Sequence, residues 1–518
     1  MVLLLARTHY SLLTGPSSPQ ALAEAAVRAG HNHLALVDGN GLYGLWPFAQ
    51  ATRRLGLQAV FGCELAHAGR RLFVFAQGRA GYASLCELLT ARNLDPEFDL
   101  SRAAARLSDG LLFLCRDLEL LPQLAVRVPR ERLFVAVGPR LVRDAGAPSP
   151  PAPDEAPMEA IAENHRKALD PDAGPPRSKL LQAARDLDLE PCAVHDVWFA
   201  EAQDYARHVL FAAVKHNRTL RAVDERGLAG VSLAAPWMHV KSQLECAAGH
   251  DDVPRAVENA QRVLASCTLS FADDAKPIFP SFTSPEGSTP ACYLAALAQA
   301  GLQRKLASRR ASASECDTAQ RRLARELAVI EAMGFAPYFL VVREIAELAA
   351  ERGIPCLGRG SAADSLVAYA LGLTEADPIR YGLLFERFLN PARKDLPDID
   401  LDFCWRRRDE LLAAVYAHFG DDRVAMIATY NTCGPRAAYL EAAKAGGVPP
   451  MEAARRSKLL PWHAHAGEGL LRAIAATKGF YAQRALPPER ERAIEHAAQA
   501  LLDAPRHLGV HPGGIVIT

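Results

Sequence analysis

Short unbroken apolar runs alternate with stretches of helical periodicity through the first third of the chain. Val2-Leu3-Leu4-Leu5 reads as a buried strand. Ser18-Pro19-Gln20 opens a helix that runs through Ala29 and is ended by Gly30. His33–Asp38 is the next strand, Pro47–Leu55 a helix stopped by Gly56, and Gln58–Glu64 a third strand. This alternation predicts parallel βα units. Asp38 and Glu64 fall at strand ends, where α/β folds and barrels collect functional groups. Cys192–Val197 repeats the pattern later and carries His195 and Asp196.

The pattern changes twice. From about 146 to 177, clustered prolines break regular structure and predict a surface insertion, with a short helix near Met158–Ala168. Residues 250–270 form an amphipathic helix, and a linker rich in Pro, Ser and Gly follows from Pro277 to Pro290. Beyond it helices dominate: Ala291–Ser308, Thr318–Met333, Val341–Arg352, Arg407–Phe419, Pro435–Ala445 and much of 449–503. A glycine-rich turn leads into a helix over 358–374, Pro397–Phe403 is a strand, and Gly513–Thr518 is a closing apolar strand.

The length of 518 residues admits about three domains. With 59 basic and 59 acidic residues there is no global field, so any nucleic-acid contact needs a local groove. Eleven scattered cysteines without a CxxC pair argue against a disulfide framework and a cysteine-type zinc site. Met1–Ala6 is too short for a signal peptide, and no apolar run approaches a membrane span, so a cytoplasmic protein without membrane contact is expected.

Candidate chemistry gathers in the second half. Asp398, Asp400 and Asp402 alternate along Pro397–Phe403, so a strand places all three on one face. Like charges so close repel unless cations neutralise them, and oxygen-only ligands suit magnesium. An amphipathic surface strand has the same alternation. Upstream, Gly358-Arg359-Gly360-Ser361 opens a helix whose first N–H groups can hold phosphate, with Arg359 adding charge. A plain helix cap at Ser361 is the structural alternative. A phosphate cradle followed closely by metal carboxylates is the minimum kit for nucleotidyl transfer.

Residues 357–403, from Leu-Gly-Arg-Gly-Ser to Asp-Ile-Asp-Leu-Asp-Phe, resemble the palm of the bacterial C-family DNA polymerases, the replicative polymerase III alpha subunit and its error-prone paralogue. Met333–Leu340 and Gly509–Ile517 fit the same family, and the first third resembles its PHP domain. The resemblance implies a PHP-type βα barrel-like domain, then a nucleotidyltransferase-like palm and a helical thumb, α/β plus α+β. Its domains would be 1–275 (PHP), 276–430 (palm), 431–505 (thumb) and 506–518 (returning palm strand). It further implies template-directed DNA synthesis. Asp400 and Asp402 match the catalytic metal-binding pair and Asp398 a neighbouring aspartate. Gly360 and Ser361 match the triphosphate cradle, and Arg359 and Lys444 match basic positions near nucleotide and backbone. Magnesium in a two-metal arrangement, primer-template DNA, deoxynucleoside triphosphates, a sliding clamp and other polymerase subunits are the implied cofactor and partners.

The chain also departs from the family. A third catalytic aspartate would follow the Gly-Gly-Ile-Val-Ile strand, past Thr518, so the span alone is expected to be inactive. The PHP metal site has lost imidazoles at Leu5, Arg7, Gly39 and Trp198. Asp38, Glu64 and Asp196 survive, and Arg7 brings positive charge to the place of the metal. No metal is expected there, unless His9 or His195 substitutes. The rival readings are a PHP phosphoesterase with a vestigial palm and a non-catalytic DNA-binding scaffold. His31-Asn32-His33 reads as chance, and His463-Ala464-His465, with no carboxylate or cysteine close by, reads as a solvated loop. Arg406–Arg408 read as a surface charge cluster at a helix start, and Arg321, Arg322 and Arg325 with Glu326 as a solvated face, with DNA contact as the alternative. Arg455, Arg456 and Lys458 could touch duplex phosphates.

Overall fold

The apolar runs of the first third close into a barrel. Its strands are β1 (Leu3–Ala6), β2 (His33–Gly39), β3 (Gln58–His67), β4 (Arg70–Ala76), β5 (Leu111–Cys115), β6 (Leu133–Val137) and β7 (Glu190–Val197), adjacent in sequence order. The barrel shuts where β1 pairs in parallel with β7, Leu3 opposite Val194 and Ala6 opposite Val197. Leu3, Leu4, Leu5 and Ala6 are all buried, because a barrel strand wrapped by helices meets water on neither face. The structure is a computed structural model that describes residues 1–140, 175–220, 223–224, 227–228, 233–271, 281–390, 397–462, 469–481 and 486–518. The helix expected near Met158–Ala168 and the pair His463 and His465 lie outside the described residues, as do most of the proline-rich insertion and part of the linker.

The parallel βα expectation holds for β1, β2 and β3 and is interrupted only around β4. β3 pairs antiparallel with β4, and β4 antiparallel with β5, before parallel pairing resumes through β6 to β7. The cause is a two-residue turn. Ala68 (φ 47°) and Gly69 (φ 78°) both take positive φ, which reverses the chain at once and leaves no room for a crossover helix.

The chain forms two compact units, Met1–Asp273 with Tyr430–Leu508, and Asp274–Thr429 with Gly509–Thr518. In the first, the helices Pro435–Ala445, Pro450–Ser457, Gly469–Ala476 and Pro488–Leu501 share a core with the helix Tyr205–Lys215, through Leu210, Phe211, Tyr439, Ile474, Phe480 and Leu501. Arg456 belongs to this core. It is fully buried and held by Glu491 (Nη1–Oε2 2.9 Å), so it does not face DNA as its sequence setting suggests. A charge removed from water needs such a partner.

In the second unit the helices Pro290–Ser308, Ala313–Ala332 and Ala336–Glu351 pack around the short helix Leu366–Ala370. Glu326 is buried here rather than on a solvated face. Its Oε2 accepts hydrogen bonds from Ser365 Oγ (3.0 Å) and Val367 N (3.1 Å), and its Oε1 from Arg322 Nε (2.9 Å). Burial raises the Glu326 pKa, with Arg322 and these donors opposing the shift.

Candidate functional site

Two short antiparallel strands, Cys356–Arg359 and Asp400–Phe403, carry the predicted chemistry of the second unit. Their register sets Arg359 directly opposite Asp400 and Leu357 opposite Asp402. Directly opposed residues share a face, and so do residues two apart, so Arg359, Asp400 and Asp402 project together. The Arg359 guanidinium spans both carboxylates, with Nη1 3.1 Å from Asp400 Oδ2 and Nε 3.1 Å from Asp402 Oδ1. Its hydrogen bond to Asp402 and the negative charge of both aspartates raise its pKa.

The expected strand over 397–403 is shorter than its alternation suggests. Asp398 is exposed and precedes the strand, so it does not join the face that holds the other two. The segment is fixed instead by Tyr338, whose Oη accepts a hydrogen bond from Ile399 N at 3.0 Å. Burial raises the Tyr338 pKa, and the charges of Asp398 and Asp400 add to it. Sequence reasoning gave Tyr338 no role. It lies in the family-like Met333–Leu340 segment, but its partner is 61 residues away.

The Gly-Ser turn also differs in detail. Residues Gly360–Asp364 form a 3-10 turn, and Ser365, not Ser361, caps the helix by accepting from Ala368 N at 3.2 Å. Ser361 is therefore not used as a cap. Gly360 has φ +69°, and a Cβ there would stand 3.0 Å from Asp400 Oδ2, so glycine brings this backbone against the aspartate. Lys444 lies in the first unit. It pairs with Glu441 (2.8 Å) and borders a cavity of about 310 Å³ together with Asn217, Arg218 and Thr219. Among the described residues, no cluster of three or more His, Cys, Asp or Glu gathers at metal-binding distance. The two converging carboxylates already hold a cationic group between them, and their oxygen-only donor set fits a magnesium ion.

The surviving acidic residues of the barrel are arranged differently. Arg7, buried at the end of β1, donates from Nε and Nη2 to Glu64 Oε2 (3.0 and 2.9 Å) and from Nη1 to Asp196 Oδ1 (3.2 Å). Arg116 forks onto Asp196 with bonds of 2.6 and 2.9 Å. The ring of Phe73 lies against both guanidiniums and that of Trp198 against Arg7. Burial would push the Asp196 pKa up, but Arg116 and Arg7 hold it well below the usual carboxylate range. Asp38 stands apart, accepting from Thr8 N, Thr8 Oγ1 and Ser11 Oγ at 2.7 Å each, and burial pushes its pKa up to about 6. His195 is bonded to the His239 carbonyl, and burial lowers the His9 pKa to about 4. These residues do not fit a metal centre: guanidiniums stand between Glu64 and Asp196, and a cation added there would meet two like charges. Arg116 went unnoticed in the sequence, although a charged residue immediately after the apolar run Leu111–Cys115 marks a barrel rim. His31 and His33 are bonded to the Lys241 and Val2 carbonyls and are ordinary buried histidines.

Residues 4–124 match the PHP domain family, and residues 292–518 match the family described as bacterial DNA polymerase III alpha NTPase domain. The chain carries a PHP domain followed by a polymerase III alpha domain. Over 98% of its length it is 33% identical to an error-prone DNA polymerase of Symbiobacterium thermophilum, of which it covers 46%. It is 33% identical to one of Cutibacterium acnes, with 99% of this chain and 43% of that protein covered. A third, from Corynebacterium jeikeium, is 31% identical, with 99% and 40% covered. The chain thus spans less than half the length of these relatives. No helix among the described residues is long and apolar enough to cross a membrane.

Proposed function

We propose that this span is the PHP and palm portion of a DNA polymerase of the error-prone type, extending a primer on a template with deoxynucleoside triphosphates. The observation that carries the reading is the convergence of Asp400 and Asp402 on one cationic group beside the positive-φ turn at Gly360. Asp400 and Asp402 would hold a magnesium ion, which would supply charge neutralisation for a reacting phosphate. The turn after Gly360 presents backbone N–H groups and the Ser361 hydroxyl to the triphosphate, and Arg359 supplies a guanidinium for its oxygens. Tyr338, through Ile399, and Glu326, through Ser365 and Val367, hold these two segments in place. The primer 3′-oxygen attacks the α-phosphorus and forms the new P–O bond as the bond to pyrophosphate breaks, and the hydroxyl proton passes to solvent water. The PHP barrel would act as a brace, with Glu64 and Asp196 neutralised by Arg7 and Arg116.

The test is Ser361→Ala in a protein of the relatives' full length. It removes a donor to a charged ligand, a contact of about 1.5–3 kcal/mol, so KM for the nucleotide should rise about tenfold or more. Affinity for primer-template, measured by fluorescence anisotropy, should not change. An equal loss in both measurements would place Ser361 on the duplex instead.

A further inference from the structure

We propose that Arg359 is a resident counter-cation of the palm, which holds Asp400 and Asp402 when no metal is bound and must be displaced before a divalent ion can bind. This rests on the reading of the two aspartates as metal ligands and adds a competitor for them built into the chain. The geometry requires it. Arg359 faces Asp400 across the ladder, and its side chain reaches Asp400 Oδ2 and Asp402 Oδ1 at 3.1 Å each, so one guanidinium occupies the space between the carboxylates. A metal ion bound to both oxygens and a guanidinium bonded to both cannot coexist there, because like charges would share a site within hydrogen-bond distance.

The latch is built to open. Arg359 and Asp402 have side chains 58% exposed, and Asp400 43%, so each ion pair is weak and the guanidinium can swing into water. Its backbone joins directly to Gly360, the flexible residue of the turn, whose lack of a side chain keeps the approach to Asp400 open. A displaced Arg359 remains tethered at the mouth of the phosphate-binding turn, where an anionic nucleotide gives it a second partner. The same side chain thus opposes metal when no nucleotide is present and stops opposing it when an anion takes the guanidinium. Two ligands that share such an element bind with positive coupling.

Metal binding alone tests the idea, using this chain and Mn²⁺ followed by electron paramagnetic resonance without nucleotide. Arg359→Met should tighten Mn²⁺ binding about threefold to tenfold, the range expected for releasing two exposed ion pairs. Arg359→Lys, which keeps the charge but cannot span both carboxylates, should fall between. Arg408→Met removes the same charge from a residue bonded to Asp409 and the Pro512 carbonyl and should leave binding unchanged. The double variant Asp400→Asn with Asp402→Asn should lose the ion. If that double variant still binds Mn²⁺ as the native chain does, or if neither the native chain nor Arg359→Met binds it, the metal-ligand reading falls and the latch with it. If the double variant loses the ion but Arg359→Met binds it no more tightly than the native chain, the latch alone is wrong.

Discussion

Asp400→Asn or Asp402→Asn, in a full-length version, should reduce nucleotide incorporation by at least about a thousandfold while primer-template affinity and the unfolding midpoint hold. Each substitution keeps the shape of the side chain and removes one of the two charges that converge beside Gly360. Charge stabilisation by a bound metal is worth several kcal/mol, and each ~1.4 kcal/mol is tenfold in rate. Asp398→Asn is the internal control. It lies outside the strand and is exposed, so its loss should cost less than about threefold. Single-turnover primer extension distinguishes the three. An inactive Asp398→Asn beside an active Asp402→Asn would move the site two residues toward the N-terminus. Normal extension by all three would remove the palm assignment.

The largest stability effect is expected in the first unit, at Arg456. Arg456→Met should destabilise that unit by about 3–5 kcal/mol, because it leaves the buried Glu491 carboxylate with the Tyr439 hydroxyl (3.2 Å) as its remaining donor. Arg456→Met combined with Glu491→Leu should recover most of the loss, since a pair of apolar groups in that space has no charge to desolvate. The recovery, read from urea unfolding as a double-mutant cycle, is the decisive quantity. If Arg456→Met costs under about 1 kcal/mol, the pair is not buried as described.

Four of the seven barrel strands, β1, β2, β3 and β7, could be read from the sequence because a strand buried on both faces leaves a continuous apolar run. Their direction could not. Leu72–Ala76 has the same composition whether it pairs parallel or antiparallel, and only the short turn at Ala68-Gly69 decides it. The alternation of Asp400 and Asp402 on one strand face was legible, but the exclusion of Asp398 was not: the strand starts at Asp400, and the preceding Ile399 N is bonded to Tyr338 Oη, 61 residues away. Charged residues were the least legible. Arg116 and Arg456 look like surface residues in sequence, and their partners stand 80 and 35 positions away; Arg7 could be set at the lost metal position only through the resemblance, its partner Asp196 being 189 positions on. A local pattern carries no record of such pairs.

Closure of the barrel through β1 and β7 orders events during synthesis. Leu3 cannot meet Val194, nor Arg7 its partner Asp196, until about 190 further residues have left the ribosome. At ordinary elongation rates of about 5–20 residues per second, the first strand waits roughly 10–40 seconds with one apolar edge open. Over that interval β1 and β2 can pair, but the ring stays incomplete and the Arg7 guanidinium remains in water. The nascent chain is then most exposed to wrong strand pairing, and a chaperone that covers Met1–Ala6 would act at that stage.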